Sequence, residues 1–253
     1  MTVDTIRDEF GQEVIDNAQI RNDNTTRMIC IDQQEVIEDY LISTNSKPSF
    51  KIYSPMPSKC HILSGPELLK GEDINKYQST IGSLQYFAGI TRYEISYPVA
   101  RLAQYCSNPT VGSMKGVNKI LSYLLSTTDF SIQGIYSPKP DCFEYYSDSD
   151  HAGDMPISSC SHTGTIAKLN NVPVFWRSKK QPKPSRSSAE AEIYALSEAL
   201  ADVRLLQWRM NDVGIKVPDI INIKVDNNQA KVFAEDTCVN SKLKNAFSLK
   251  ENG

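Results

Sequence analysis

Residues 187–196 are Ser-Ser-Ala-Glu-Ala-Glu-Ile-Tyr-Ala-Leu, and this stretch predicts the start of a long helix. Ser187 and Glu190 fit a capping box, in which the serine accepts a hydrogen bond from the helix backbone and the glutamate reaches back to it. Apolar residues then recur on one helical face, and Gly214 is a suitable stop. We therefore expect a helix over residues 188–212.

Glu192 lies just past the capped turn and beside the apolar face, so capping does not use it. A carboxylate in that position costs desolvation free energy unless it is paired or bound to a cation. Two further acids end strand-like runs, Asp148 after residues 142–147 and Asp226 after residues 220–225. For each of these two a purely structural role stays open, because aspartate is common in turns and at the N-cap of a helix.

The pattern around these acids is that of an α/β layer. Two more strand-like runs, 164–169 and 172–176, are joined by Asn170-Asn171 as a hairpin. A last helix is expected over residues 227–235. Three strands, a helix, a strand of parallel type and a helix together predict an α/β fold with a mixed sheet.

The two strand-end acids and the early-helix acid point to one edge of that sheet. Asp148, Glu192 and Asp226 would form an all-oxygen ligand set, which suits Mg²⁺ or Mn²⁺ rather than zinc. Two such ions can activate a water and stabilise the leaving oxygen of a phosphodiester displacement. The sequence offers no Ser/His/Asp or Cys/His alternative and no phosphate-binding Gly-x-x-x-x-Gly-Lys loop. We predict that these three acids are the catalytic and metal-binding residues of a nuclease site.

A basic segment, residues 175–186, directly precedes the helix that carries Glu192 and contains no acid. Its five cations are predicted to contact nucleic-acid phosphates, and Trp176 is placed to stack on a base or sugar. The five are Arg177, Lys179, Lys180, Lys183 and Arg186. The alternative is a solvated loop with Trp176 packed in the core.

The first half of the chain has a different pattern. A strand over Met28–Ile31 and a helix over residues 33–43 are followed by a proline-rich extended connection, 44–75. Apolar residues at three- and four-residue steps then predict a block of helices. The Pro-containing stretch 137–140 is the clearest linker. The expected domains are 1–76, an extended edge region; 77–137, a helical segment; 141–245, the α/β domain; and 246–253, an unstructured tail.

Charge and cysteine content exclude some classes of function. A net charge of −3 gives no global basic field, so nucleic-acid binding would need a local basic patch. Six scattered cysteines without a Cys-x-x-Cys pair, together with three histidines, provide no zinc ligand set. No apolar run approaches about 18 residues. We expect an intracellular protein, cytoplasmic or nuclear, with reduced thiols.

Several spaced motifs closely resemble the C-terminal part of a Ty/copia-type retrotransposon Pol polyprotein. In the first half they are Tyr77–Tyr86, Thr91–Ile95, Ser107–Thr110 and Lys119–Leu124. In the second half they are Tyr146–Asp154, Trp176–Gln181, Ser187–Leu196 and Asp226–Ala230. Each is weak alone, and their order and spacing carry the resemblance over residues 30–245.

The resemblance implies the end of a reverse transcriptase, with its helical thumb and connection region, followed by a ribonuclease H-like domain. Asp148, Glu192 and Asp226 then take the places of the first three metal-binding carboxylates of the nuclease. The implied activity is Mg²⁺-dependent hydrolysis of the RNA strand of an RNA–DNA hybrid, with Mn²⁺ as the alternative ion. The implied partners are the hybrid or another nucleic acid, and other Pol or Gag products of the element.

The sequence also departs from the family pattern. It has no Asp-Asp pair, which the polymerase palm needs, and residues 245–253 contain no aspartate for the fourth nuclease ligand. Tyr93 and His151 stand where the family usually has Pro and Trp. We therefore expect a truncated, degenerate element without polymerase activity. The alternative is a non-catalytic nucleic-acid-binding remnant or an inactive relic. An integrase-type nuclease is disfavoured because it would bring a His/Cys zinc module.

Overall fold

The computed structural model divides the chain into two compact units, one ending at Ile135 and the other beginning at Tyr136. The structure describes residues 6–7, 13–15, 18–23, 28–45, 52–56, 67–135, 142–150, 160–215, 221–226, 232 and 247–249. The linker predicted at 137–140 lies outside these residues, as does the last predicted helix apart from Val232. In the described part of the chain, no helix combines the length and apolarity needed to cross a membrane.

The N-terminal unit contains a five-stranded antiparallel sheet in the order β1-β2-β3-β4-β5. Its strands are β1 Ile6–Arg7, β2 Glu13–Ile15, β3 Ala18–Asp23, β4 Met28–Asp32 and β5 Ile132–Ile135. The strand predicted at Met28 is confirmed, whereas β5 was not predicted. The motif Ile-Gln-Gly-Ile is short and contains a glycine, so its strand conformation depends on pairing with β4, about a hundred residues earlier in the chain.

The helices of this unit are α1 Gln34–Ser43, α2 Glu72–Ile90, α3 Ser96–Ala103 and α4 Val111–Ser126, with a 3₁₀ turn at Tyr93–Ile95. Thr110 begins α4 with a capping box that it forms with Ser113. One apolar cluster joins all four helices, with Ile37 from α1 and Leu84 from α2 fully buried. The boundary expected at residue 76 therefore falls within a single core, and the unit is not only helical.

A buried arginine lies in that core. Arg92 is 1% exposed; its Nε lies 2.7 Å from Glu94 Oε1, and its Nη2 donates to Thr127 Oγ1 at 2.6 Å. The rings of Tyr123 and Phe130 approach its guanidinium carbon, with centroids at 5.6 and 5.7 Å. The cation thus has both a counterion and aromatic faces around it.

The C-terminal unit is built from β6 Phe143–Asp150, β7 Cys160–Leu169, β8 Val172–Pro184, α5 Ser188–Asp212, β9 Ile221–Lys224 and β10 Phe247–Leu249. Its sheet has the order β10-β9-β6-β7-β8. β9 pairs in parallel with β6 and β10, and the β6–β7 and β7–β8 pairs are antiparallel. The predicted α/β class with a mixed sheet is confirmed.

Helix α5 packs on the β6 and β7 side of this sheet. Tyr145, Ile223 and Val203 contribute to the core between helix and strands. The predicted bounds of α5 are those observed, and Gly214 follows it with φ of 80°. The predicted hairpin is also confirmed, because Asn170 and Asn171 both have positive φ, as a type I′ turn requires.

Two expectations for this unit were wrong. Residues 246–253 were predicted to be an unstructured tail, but β10 pairs with β9 and so gains backbone hydrogen bonds. β8 was predicted to end at residue 176, but it continues to Pro184. Most of the basic segment is therefore strand rather than loop, and β8 is the last strand of the described sheet. Cationic side chains on such an edge discourage pairing with other chains.

Candidate metal centre

Glu192 is held in the first turns of α5 and is 5% exposed. Ser187 caps this helix, because its Oγ accepts a hydrogen bond from Glu190 N at 3.2 Å. Glu190 reaches back one residue further than predicted, and its Oε2 accepts from Arg186 N at 2.7 Å. Capping thus uses Glu190 and leaves Glu192 free to face the sheet, as the sequence predicts.

Asp148 and Asp226 are brought together by the parallel register of β6 and β9. Tyr146 of β6 is paired with Lys224 of β9, and each aspartate lies two residues further along the chain. Both aspartates are exposed. β6 extends to Asp150, so Asp148 lies inside the strand rather than at its end, but it is beyond the part of β6 that β9 covers.

The three carboxylates meet at this edge. Asp148, Glu192 and Asp226 each offer an oxygen, and these oxygens all lie within 4.8 Å of one another. The elements that deliver them are a strand, a helix and the end of another strand. Among the residues that the structure describes, these three acids form the group of acidic, histidine or cysteine side chains that could hold a metal ion.

Ser149 connects two of the three acids. Its backbone N–H donates to Asp148 Oδ1 at 2.8 Å and to Glu192 Oε1 at 3.1 Å. Its hydroxyl donates to Glu192 Oε1 at 2.8 Å. All three bonds leave Glu192 Oε2 without a hydrogen-bond partner, although this oxygen is buried.

The electrostatic environment of Glu192 is unfavourable to its own negative charge. The pKa of this carboxyl is raised to about 7, mainly by burial; the hydrogen bonds from Ser149 lower it, and the charges of Asp148 and Asp226 add to the rise. A cation bound between the three acids would reverse this balance. An unpartnered buried oxygen beside two further carboxylates is therefore a donor set that fits Mg²⁺ or Mn²⁺.

The chain is 33% identical over 218 residues to the retrovirus-related Pol polyprotein from transposon RE1 of Arabidopsis thaliana, which covers 85% of this chain. It is 31% identical over 165 residues to the putative transposon Ty5-1 protein of Saccharomyces cerevisiae. This chain belongs to the Ty/copia-type retrotransposon Pol family. No family model matches it.

The match covers only part of these Pol relatives. The chain spans 14% of the length of the RE1 polyprotein and 47% of the Ty5-1 protein. A shorter relative, the secreted RxLR effector protein 161 of Plasmopara viticola, is 37% identical over 133 residues, which is 92% of that protein and 53% of this chain. The family relationship therefore concerns a Pol segment, and activities of whole polyproteins do not transfer with it.

The five cations of the basic segment, residues 175–186, are not equally available for contact with nucleic acid. Arg177 Nη2 lies 2.7 Å from Asp202 Oδ2 and 3.4 Å from Glu198 Oε2, both on α5. Lys179 Nζ lies 3.4 Å from Glu198 Oε1. These two cations thus contribute to the contact between β8 and α5. Their predicted role in phosphate binding remains a prediction.

The other three basic residues differ in their exposure to solvent. Lys180 is half-buried, whereas Lys183 and Arg186 are exposed next to the start of α5. Trp176, for which the sequence left stacking and core packing open, is half-buried on β8. Lys183 and Arg186 are therefore the cations of the segment best placed for phosphate contact.

Two residues near the site, Ser149 and Gln181, were not predicted from the sequence. Ser149 follows Asp148 directly, and period two in a strand sends it to the other face, towards α5. That signal was readable. Gln181 is 2% exposed within an otherwise cationic segment, and nothing local in the sequence distinguishes it from its solvated neighbours.

Proposed function

We propose that the C-terminal unit is a ribonuclease H-type nuclease domain that hydrolyses the RNA strand of an RNA–DNA hybrid with Mg²⁺ or Mn²⁺. The observation that carries the proposal is the buried, unpartnered Glu192 Oε2 beside Asp148 and Asp226. Three acids this close repel one another, and burial adds a cost that no described cation offsets. A divalent ion is the partner that makes such an arrangement favourable.

Each side chain would have a defined task. Asp148, Glu192 and Asp226 would hold the ions through oxygen atoms, and Ser149 would keep Glu192 Oε1 fixed so that Oε2 faces the cluster. When bound, the ions would supply an activated water and charge neutralisation at the scissile phosphate. Lys183 and Arg186 would contact phosphates of the hybrid on the side where α5 begins. Polymerisation forms no part of the proposal, since the sequence has no Asp-Asp pair.

A cleavage assay on end-labelled RNA–DNA hybrid tests this proposal, with single-stranded RNA and duplex DNA as comparison substrates. Asp226→Asn should reduce the rate by at least about 100-fold, because it removes a ligand of the ion that supplies the chemistry. The matched control is Asp212→Asn, the same substitution at an exposed aspartate at the far end of α5, about 30 Å along the helix from Glu192. It should cleave as the wild type does.

Equal rates in wild type and Asp226→Asn would end the nuclease proposal. Hybrid binding without cleavage would support the alternative of a non-catalytic binding remnant. In that case binding should weaken with salt and on combined substitution of Lys183 and Arg186 by glutamine.

A further inference from the structure

Gln181 is a buried polar side chain that has no role in the proposed function as described above. It belongs to the cationic strand β8, yet it is 2% exposed and its polar atoms are all partnered. Its Nε2 donates to Thr163 Oγ1 at 3.1 Å and to the Ala191 carbonyl at 2.9 Å. Its Oε1 accepts from Ser185 Oγ at 3.0 Å. A fully satisfied buried amide fixes the groups that it joins.

The three partners belong to different parts of the C-terminal unit. Thr163 is in β7, Ser185 is in the connection that leads to α5, and Ala191 is in the first turns of α5. Gln181 therefore links the sheet, the connection and the helix through one side chain. The capping bonds at the helix start, which involve Ser187 and Glu190, are exposed to solvent. Exposed hydrogen bonds are the weaker constraint, because water competes for them.

The position of Ala191 controls the position of Glu192, which follows it directly. Glu192 Oε1 must lie within hydrogen-bond reach of both the amide and the hydroxyl of Ser149, at 3.1 and 2.8 Å. A shift of the helix start by about 1 Å would bring both contacts beyond hydrogen-bond length. It would also move Oε2 away from the oxygens of Asp148 and Asp226.

We propose that Gln181 is a positioning residue of the metal centre, which holds Glu192 in the carboxylate cluster by binding the Ala191 carbonyl and Thr163. The inference rests on the proposed function for its consequence, metal binding, but its geometric part concerns the metal-free protein. Groups that orient metal ligands from outside the ligand shell typically change metal affinity by about 10- to 100-fold when removed.

The test compares Gln181→Met with a core substitution of similar destabilisation, Val203→Ala. Methionine has nearly the same length as glutamine and cannot donate to Ala191 or Thr163. Val203 lies in the core on α5, eleven positions after Glu192, and its truncation weakens the helix packing without touching the cluster. Two quantities are measured on the full chain. They are the Mg²⁺ affinity by calorimetry, and the chemical shifts of the Ser149 amide proton and Glu192 Cδ without metal.

Gln181→Met should bind Mg²⁺ about 10-fold more weakly and should move both resonances, whereas Val203→Ala should change neither quantity. Wild-type affinity and unmoved resonances in Gln181→Met would overturn the inference, as would equal changes in both variants. If the wild type itself binds no Mg²⁺, the proposed function fails, and the two resonances alone decide the positioning claim.

A second variant covers the case in which Gln181→Met does not fold. Thr163→Val removes one acceptor of Gln181, keeps the side-chain shape and leaves the bond to Ala191 intact. It should move the Ser149 and Glu192 resonances in the same direction by a smaller amount. Resonances identical to those of the wild type would count against the inference.

Discussion

Both units of this Pol segment bury charged side chains, and two of these, Arg92 and Glu192, have very different surroundings. In the N-terminal unit, Arg92 has Glu94 at 2.7 Å and two aromatic rings over its guanidinium. In the C-terminal unit, Glu192 has only a serine as hydrogen-bond donor, and its nearest charged groups are two further acids. The charge of Arg92 is compensated within the fold, whereas the neighbouring acids make the buried charge of Glu192 less favourable.

The difference lies in where each charge can find a partner of opposite sign. A buried ion that exists for stability should have its counterion within the chain, because desolvation is otherwise not recovered. A buried ion that is placed beside like charges destabilises the chain by itself and becomes favourable only when a cation binds. On this comparison Arg92 has a counterion within its unit, and Glu192 lowers the stability of its unit as long as no cation is bound.

The largest effect is expected when the compensated charge loses its partner. Glu94→Gln leaves Arg92 buried without a counterion and should lower the free energy of unfolding of the N-terminal unit by about 3 kcal/mol. Circular dichroism of the helices measures this loss. Trp176 and Trp208, the two tryptophans of the chain, lie in the other unit, so their fluorescence follows the unfolding of that unit separately. An unchanged helical transition would contradict the claim that Glu94 compensates the buried charge of Arg92.

The opposite sign is expected for the uncompensated charge. Without divalent ions at pH 8, Glu192→Gln should raise the stability of the C-terminal unit by about 2 kcal/mol, because it removes a buried charge next to two acids. Tryptophan fluorescence during urea unfolding follows this unit. A loss of stability would mean that Glu192 contributes favourably even when no metal is present.

The pH dependence of this effect follows from the direction of the pKa shift. The folded-state pKa of Glu192 is raised to about 7, so the fold favours the neutral carboxyl. The stabilisation by the neutral form is complete below the unfolded pKa of about 4.3 and is lost as the pH rises to about 7. The advantage of Glu192→Gln over wild type should therefore grow between these two values. A constant difference across this range would contradict the account.

The smallest effect is expected from an ion pair that is compensated but near the surface. Lys224 Nζ lies 2.5 Å from Glu144 Oε1, and the hydrogen bond from this lysine lowers the pKa of the carboxyl. A lowered folded pKa stabilises above the unfolded value of about 4.3, and this contribution is lost as the pH falls through the folded pKa. Glu144→Gln should cost only about 0.5 kcal/mol at pH 7. A cost comparable to that of Glu94→Gln would show that burial does not determine how much stability is lost when an ion pair is removed.

The parts of the fold that could be predicted are those with strong local signals. The bounds of α5 followed from its cap, its periodicity and Gly214, and the Asn170-Asn171 hairpin followed from residues that tolerate positive φ. The meeting of Asp148, Glu192 and Asp226 could be anticipated because each acid is attached to a recognisable element. Their role in binding metal remains a prediction.

What escaped prediction depends on contacts between distant residues. β5 is a strand because β4 pairs with it. The cationic part of β8 has no strand-like pattern in the sequence, and it is a strand because it pairs with β7. Gln181 is surrounded in sequence by lysine and proline, and only the approach of β7 and α5 makes it buried. Such features arise from tertiary structure, so a single sequence carries no local pattern for them.

The most direct test of the central claim is the effect of Mg²⁺ on the stability of the C-terminal unit. Thermal unfolding is followed by tryptophan fluorescence at pH 8, with and without Mg²⁺. The Mg²⁺ concentration is about 10 mM, which is roughly ten times an assumed dissociation constant of about 1 mM. The wild type should gain about 5 °C in Tm, and Glu192→Gln should gain almost nothing. Equal gains in both proteins, or none in the wild type, would contradict the assignment of Glu192 as a buried charge that is compensated by a metal ion.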